Sequence, residues 1–158
     1  MTDEKKQEYT LRITQANPSK LVVILYEMFF DFAQEAQEAL NKQNRGDFYS
    51  ALDKAQQALS QLIGSLNFDQ DPAESIYRVY LYVSASMGVC RGKLQFAQMQ
   101  TPLRLMRSLY DTYKTDSACD TRGPVMDNTQ KVYAGLTYSK NSLTENMEEG
   151  AGSRGFFV

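Results

Sequence analysis

Residues 14–40 read TQANPSKLVVILYEMFFDFAQEAQEAL. Between Leu21 and Phe32 only Glu27 and Asp31 interrupt a run of aliphatic and aromatic side chains. Asn17 is a good helix N-cap, and Pro18 fits the first helical position, where a missing N–H costs nothing. The stretch predicts a helix over residues 18–42. Leu21, Leu25, Met28, Phe32 and Ala36 form one apolar stripe, with Val22, Phe29, Ala33 and Leu40 beside it. A bundle helix needs an apolar arc of only about 100°. Val23, Ile24, Tyr26 and Phe30 lie outside that seam. The helix has apolar surface to spare, and the fold must either cover it or leave it for a partner.

Working outward, similar punctuation predicts further helices. Asp47 after Gly46 is expected to cap a second helix over residues 48–66. There Phe48, Leu52, Ala55, Leu59, Leu62 and Leu66 alternate spacings of four and three, a bundle seam. Asp71-Pro72, with Glu74 three residues after the aspartate, is expected to open a third. It carries Ile76, Tyr80, Val83, Met87, Cys90, Leu94 and Ala97 at the same alternation. A fourth holds Met106, Leu109 and Tyr113. The boundary between the last two stays open. Either Gly92 ends the third and Pro102 kinks a long fourth, or the third reaches Gln98 and Thr101 caps the fourth. Residues 115–124 read as a loop, residues 124–136 as a short helix, and the final EEGAGSRGFFV as flexible.

These elements predict an all-α chain: an antiparallel up-and-down four-helix bundle with a short N-terminal cap segment and an additional C-terminal helical extension. Residues 1–16 are the cap segment, 17–118 the bundle domain, and 119–158 the extension, partly helical and then flexible.

Composition removes several function classes. With 158 residues and 42% hydrophobic side chains the chain fits one ordinary domain with a real core. The net charge of −2 gives no global field for nucleic acid or an anionic membrane. No apolar run approaches the ~20 residues that span a bilayer, and the start MTDEKKQEYT does not read as a secretory leader. Two cysteines, Cys90 and Cys119, make neither a disulfide framework nor a zinc set, so a reduced cytoplasmic protein is expected. Histidine is absent, which excludes Ser-His-Asp, Cys-His and Glu-x-x-His chemistry. No GxxxxGK phosphate loop occurs, and no cofactor or metal is expected. Glu27 and Asp31, four apart on the first helix, read as its wet edge rather than as a metal-binding or proton-exchanging pair. The charge is uneven: residues 75–110 hold no acid but carry Arg78, Arg91, Lys93, Arg104 and Arg107. That is either a solvated basic face or a patch for an acidic partner.

The surplus apolar surface is the functional lead. Leu81, Val89 and Phe96 give the third helix a second set as well. Two covers exist within the chain: Tyr9, Leu11 and Ile13 before the first helix, and Val132, Tyr133 and Leu136 near the end. They cover the bundle permanently, or a partner helix lies in the same groove and displaces a weakly held cover. On the residues alone both readings stand, as does an adaptor or homodimeric bundle that uses the surplus for self-association.

Here the chain resembles the FliS family of flagellar secretion chaperones. The resemblance rests on Tyr9, then Ala16-Asn17-Pro18-Ser19-Lys20-Leu21, then Leu25-Tyr26 leading into Ala33, Ala36 and Ala39. It continues through Lys54-Ala55-Gln56 and Ser65-Leu66-Asn67-Phe68-Asp69 to IYRVYLYV, covering residues 9–114. Glu27-Met28 stands where the family usually has Asp-Gly, Tyr113 stands near its usual tryptophan, and residues 120–158 run past its usual end. The resemblance implies a non-enzymatic chaperone that holds the disordered C-terminal segment of flagellin in the cytoplasm, prevents premature polymerisation and delivers it to the flagellar export gate. It further implies that the N-terminal segment acts as a movable cap. With that implication, the groove is expected from Leu21, Ile24, Leu25, Tyr26 and Phe30, then Tyr80, Tyr82 and Val83; the cap is Tyr9, Leu11 and Ile13.

Overall fold

The computed structural model describes residues 2–126. The expected helix over residues 124–136 and the tail lie, almost entirely, outside them. Among the described residues the chain is all helical: α1 (Asp3–Thr14), α2 (Pro18–Asn41), α3 (Arg45–Gly64), α4 (Ala73–Lys93) and α5 (Gln100–Cys119), with a 3₁₀ turn (Phe96–Met99) ahead of α5. α2 packs on α3, α3 on α4, α4 on α5 and α5 back on α2, which closes a four-helix ring. Short connections make sequential helices antiparallel neighbours. α1 packs on α2 alone to any substantial extent.

Helix starts show where local signals decide and where they do not. Asn17 caps α2 as expected: its Oδ1 accepts from Lys20 N at 2.8 Å, with Pro18 first in the helix. α3 starts earlier than expected. Asn44, not Asp47, is its cap, accepting from Asp47 N at 3.1 Å. Asp47 instead sits in the first turn, and its carboxylate accepts from the Asn44 side chain. α4 opens at Ala73, and Asp71 makes no cap. Backbone bonds from Gln70 N to Asn67 O and Ala73 N to Gln70 O close the turn there instead. Thr101 does not cap α5 either. The 3₁₀ turn feeds α5 directly, so Pro102 falls in its first turn, where the helix has no N–H bond to lose, and causes no kink. α4 ends close to Gly92, but Leu94 rather than a glycine takes the left-handed position, with φ 52°. For a branched side chain that conformation costs about 1–2 kcal/mol, and packing of half-buried Leu94 against the core offsets it.

The core sits inside the ring. Tyr26, Phe29, Phe48, Leu59, Leu62, Tyr80, Val83, Met99 and Met106 are among its fully enclosed side chains. The interior seam of α2 is only partly the expected one: Phe32 and Ala36 join the core as expected, together with Val23, Tyr26 and Phe29, while Leu21, Leu25 and Met28 are half-buried. A helix that is apolar nearly all round gives periodicity no edge from which to choose the inward arc.

Candidate functional site at the first two helices

α1 is a full helix in a segment for which the sequence predicted only a cap. Thr2 accepts from Lys5 N, and Asp3 and Glu4 occupy the first turn, where negative charge meets the positive end of the helix dipole. Of the three cap residues, Tyr9 is buried and Ile13 half-buried, whereas Leu11 is exposed. Positions 9 and 13 are one turn apart on one face, and position 11 faces away. Beneath that face lie Leu21, Ile24 and Met28 of α2, with Ala16 at the joint. The apolar surplus of α2 is thus split. Its interior arc faces the ring, and a narrow strip, Leu21–Ile24–Met28, faces α1.

The two acids of the apolar run hold α1 in place. Tyr9 donates its hydroxyl to Asp31 Oδ2 at 2.5 Å, and Lys5 Nζ lies 2.8 Å from the same oxygen. Burial first, and then the Asp31 bond, push the Tyr9 phenol well above its ordinary value. Arg12 donates to Glu27 Oε2 at 2.5 Å. The other Glu27 oxygen accepts from Tyr110 Oη of α5 at 3.1 Å. Glu27 and Asp31 are therefore latch residues, more specific than a wet edge. Their presence four residues apart in an otherwise apolar run is the signal that could have found this role, which the reading as a wet edge misses. These pairs are part-exposed and contribute about 0–1 kcal/mol each. With little more than Tyr9 and Ile13 buried beneath α1, the cover is lightly held.

The other expected groove residues lie elsewhere. Tyr26, Tyr80 and Val83 are inside the core rather than on a surface. The Tyr26 and Tyr80 hydroxyls bond each other at 2.6 Å, which explains how two phenols sit in an apolar interior. Leu25 packs on the main core, and Tyr82 is exposed on α4. Phe30 is half-buried at an open groove between α2 and α5. The structure thus brings Leu21 and Ile24 together under Tyr9 and Ile13, and separates them from the remaining candidates.

A second set of contacts, invisible to periodicity, fixes the joint between α1 and α2. Residues 120–125 pass back over it as a strap. Buried Asn17 donates its side-chain amide to the carbonyls of Asp120 (3.1 Å) and Arg122 (3.3 Å) while its oxygen caps α2. Ser19 donates to Asp120 Oδ2 at 2.5 Å, and Val125 N donates to Ala16 O at 2.9 Å. Arg122, then Ser19, hold the Asp120 carboxyl well below the usual carboxylate range.

The basic stretch does not form one face. Arg78 pairs with Glu74, Arg91 pairs with Asp53, and Arg107 lies over the Phe30 ring. Among the described residues no cluster of His, Cys, Asp and Glu is arranged to hold a metal. Burial pushes the Cys90 thiol up, away from thiolate chemistry.

A model of the family described as flagellar protein FliS matches residues 1–119. The chain belongs to the FliS family. The match covers α1 through α5 and stops where the strap begins. No curated protein matches the chain. FliS proteins are non-enzymatic chaperones, and membership implies a flagellin export chaperone. Among the described residues no helix is long and apolar enough to cross a membrane.

Proposed function

We propose that this FliS chain is a cytoplasmic chaperone that binds the disordered C-terminal segment of flagellin, prevents its premature polymerisation and delivers it to the flagellar export gate. One observation carries the reading: a lightly latched helix, α1, lies over the apolar strip Leu21–Ile24–Met28. A cargo segment that becomes helical on binding takes the place of α1 and sets its own apolar face on that strip. It loses ordering entropy as it folds, which keeps affinity moderate for the area covered and suits a protein that must release its cargo. Residues 1–16 act as the movable cover, 17–118 as the bundle, and 119–158 as an extension whose residues 120–125 secure the joint.

Titration with a flagellin C-terminal peptide tests this. Far-UV circular dichroism gains helical signal beyond the sum of the parts. Ile24→Asp abolishes capture of the peptide while the chain's own helical signal survives. Peptide binding that ignores Ile24→Asp removes the strip from the site. A homodimer is favoured instead by exposed Leu81, Tyr82 and Val89 on the outward side of α4. Light scattering at two concentrations separates the two: a stable dimer whose mass the peptide does not alter supports self-association.

A further inference from the structure

An open groove of about 590 Å³ lies between α2 and the segment running from the 3₁₀ turn into α5. Its floor is Phe30 of α2, Phe96 of the turn and Leu103 of α5, each half-buried against the main core. Its α5 wall carries Arg104 and Arg107, both exposed. Arg107 lies 4.1 Å from the centroid of the Phe30 ring, so a cation rests on the edge of the apolar floor. Among the described residues neither arginine is paired with a carboxylate. The α2 wall differs: it carries the amides Gln34, Gln37 and Asn41 and one acid, Glu38, whose Oε1 accepts from Gln34 at 2.9 Å. The groove is asymmetric, with an apolar floor, one cationic wall and one amide-rich wall.

We propose that this groove docks an amphipathic partner helix whose apolar face is edged by carboxylates three or four residues apart, and that those carboxylates meet Arg104 and Arg107. The spacing follows from α5: residues 104 and 107 are neighbours on one helix face, and a helix laid alongside presents a matching pair at the same interval. Half-buried Phe30, Phe96 and Leu103 supply the apolar contact such a face needs. An apolar helix without acids leaves both guanidiniums unpaired and strips water from Arg107 uncompensated, which disfavours it. Charge complementarity thus selects the partner's sign and the side it faces. The groove shares no residue with the strip under α1, so this inference stands whether or not cargo binds there.

The test uses the full chain and a labelled designed peptide of about 18 residues, five helical turns. It carries leucines at alternating spacings of three and four, with glutamates along one edge. A twin has lysine for each glutamate. In fluorescence anisotropy the glutamate peptide binds the wild-type chain more tightly than its twin does, and binding weakens as salt is added. Joint Arg104→Glu and Arg107→Glu substitution weakens the glutamate peptide about tenfold or more and strengthens the lysine twin. Both positions are exposed, and circular dichroism checks that the fold is kept. If the reversed chain loses helicity, Arg104→Gln carries the test, with weaker glutamate-peptide binding expected. Failure of the glutamate peptide to bind, equal binding of the twins, or indifference to the arginine changes overturns the proposal. So does loss of binding in Ile24→Asp, which would place the peptide under α1.

Discussion

Tyr26 and Tyr80 illustrate what one pair of atoms settles. Each phenol is buried, and each hydroxyl has the other as its hydrogen-bond partner. Changing Tyr26 to Phe leaves the Tyr80 hydroxyl without that partner, which costs about 1–3 kcal/mol. Removing both hydroxyls restores most of that loss, because no polar atom is then stranded. Urea denaturation of the two single variants and the double reads this directly: the double lies nearer the wild type than the sum of the singles. Additive losses would mean that the hydroxyls do not depend on each other. The pair also predicts alkaline behaviour. Burial raises both phenols above the ordinary value of 10.0. A raised acid retains its proton in the folded state and not in the unfolded state. Its stabilisation is therefore complete below about pH 10 and drains away as pH rises above it. Thermal melts from pH 8 to pH 11.5 should show Tm falling above pH 10, less steeply when both residues are Phe. The sequence placed Tyr80 on the seam of the third helix, where it lies, but also offered both tyrosines for a groove. A tyrosine is expected to keep its hydroxyl wet, and one sequence does not show that a second hydroxyl on another helix supplies the partner.

At the scale of elements, the four bundle helices were legible and the joint between α1 and α2 was not. Helix existence came from periodicity that packing then used, as in α3, where Phe48, Leu52, Ala55, Leu59 and Leu62 all point inward. Proline marked starts less well: Asn17-Pro18 was read correctly, but Asp71 and Thr101 were overridden by backbone turns. α1 escaped because Tyr9 and Ile13 are a thin apolar face on a polar helix. The strap escaped because it joins residues about a hundred positions apart, and no local pattern encodes it. Asn17 serves the cap and the strap together, and two variants separate those roles. Asn17→Ala removes both, and loss of the cap alone costs about 0.5–2 kcal/mol of global stability. Deleting residues 120–158 removes the strap and leaves the cap bond to Lys20 in place. Amide exchange of residues 3–14 should then accelerate while that of the bundle core is unchanged, and a flagellin peptide should bind more tightly. Weaker or equal peptide binding would reject a securing role for the extension.

For the whole molecule, the proposed function makes the four-helix ring a fixed platform and α1 a cover whose closure sets how often the strip is open. If a cargo helix needs that strip, its apparent affinity is the intrinsic affinity scaled by the open fraction. Lys5 and Arg12 offer a way to change that fraction without touching the strip. Both sit on α1 and pair with Asp31 and Glu27, and neither lies under the cover. Part-exposed pairs contribute about 0.2–1 kcal/mol each, so Lys5→Ala with Arg12→Ala loosens α1 by about 0.4–2 kcal/mol. The open fraction, and with it the affinity for a flagellin C-terminal peptide, rises roughly two- to thirtyfold. One free energy governs both opening and binding, so the amide exchange rates of α1 must rise by the same factor. Peptide titration and hydrogen exchange on the same double variant compare the two numbers. Faster exchange with unchanged affinity would mean that cargo binds away from the strip. Faster exchange with weaker affinity would mean that α1 is part of the cargo site and not its cover.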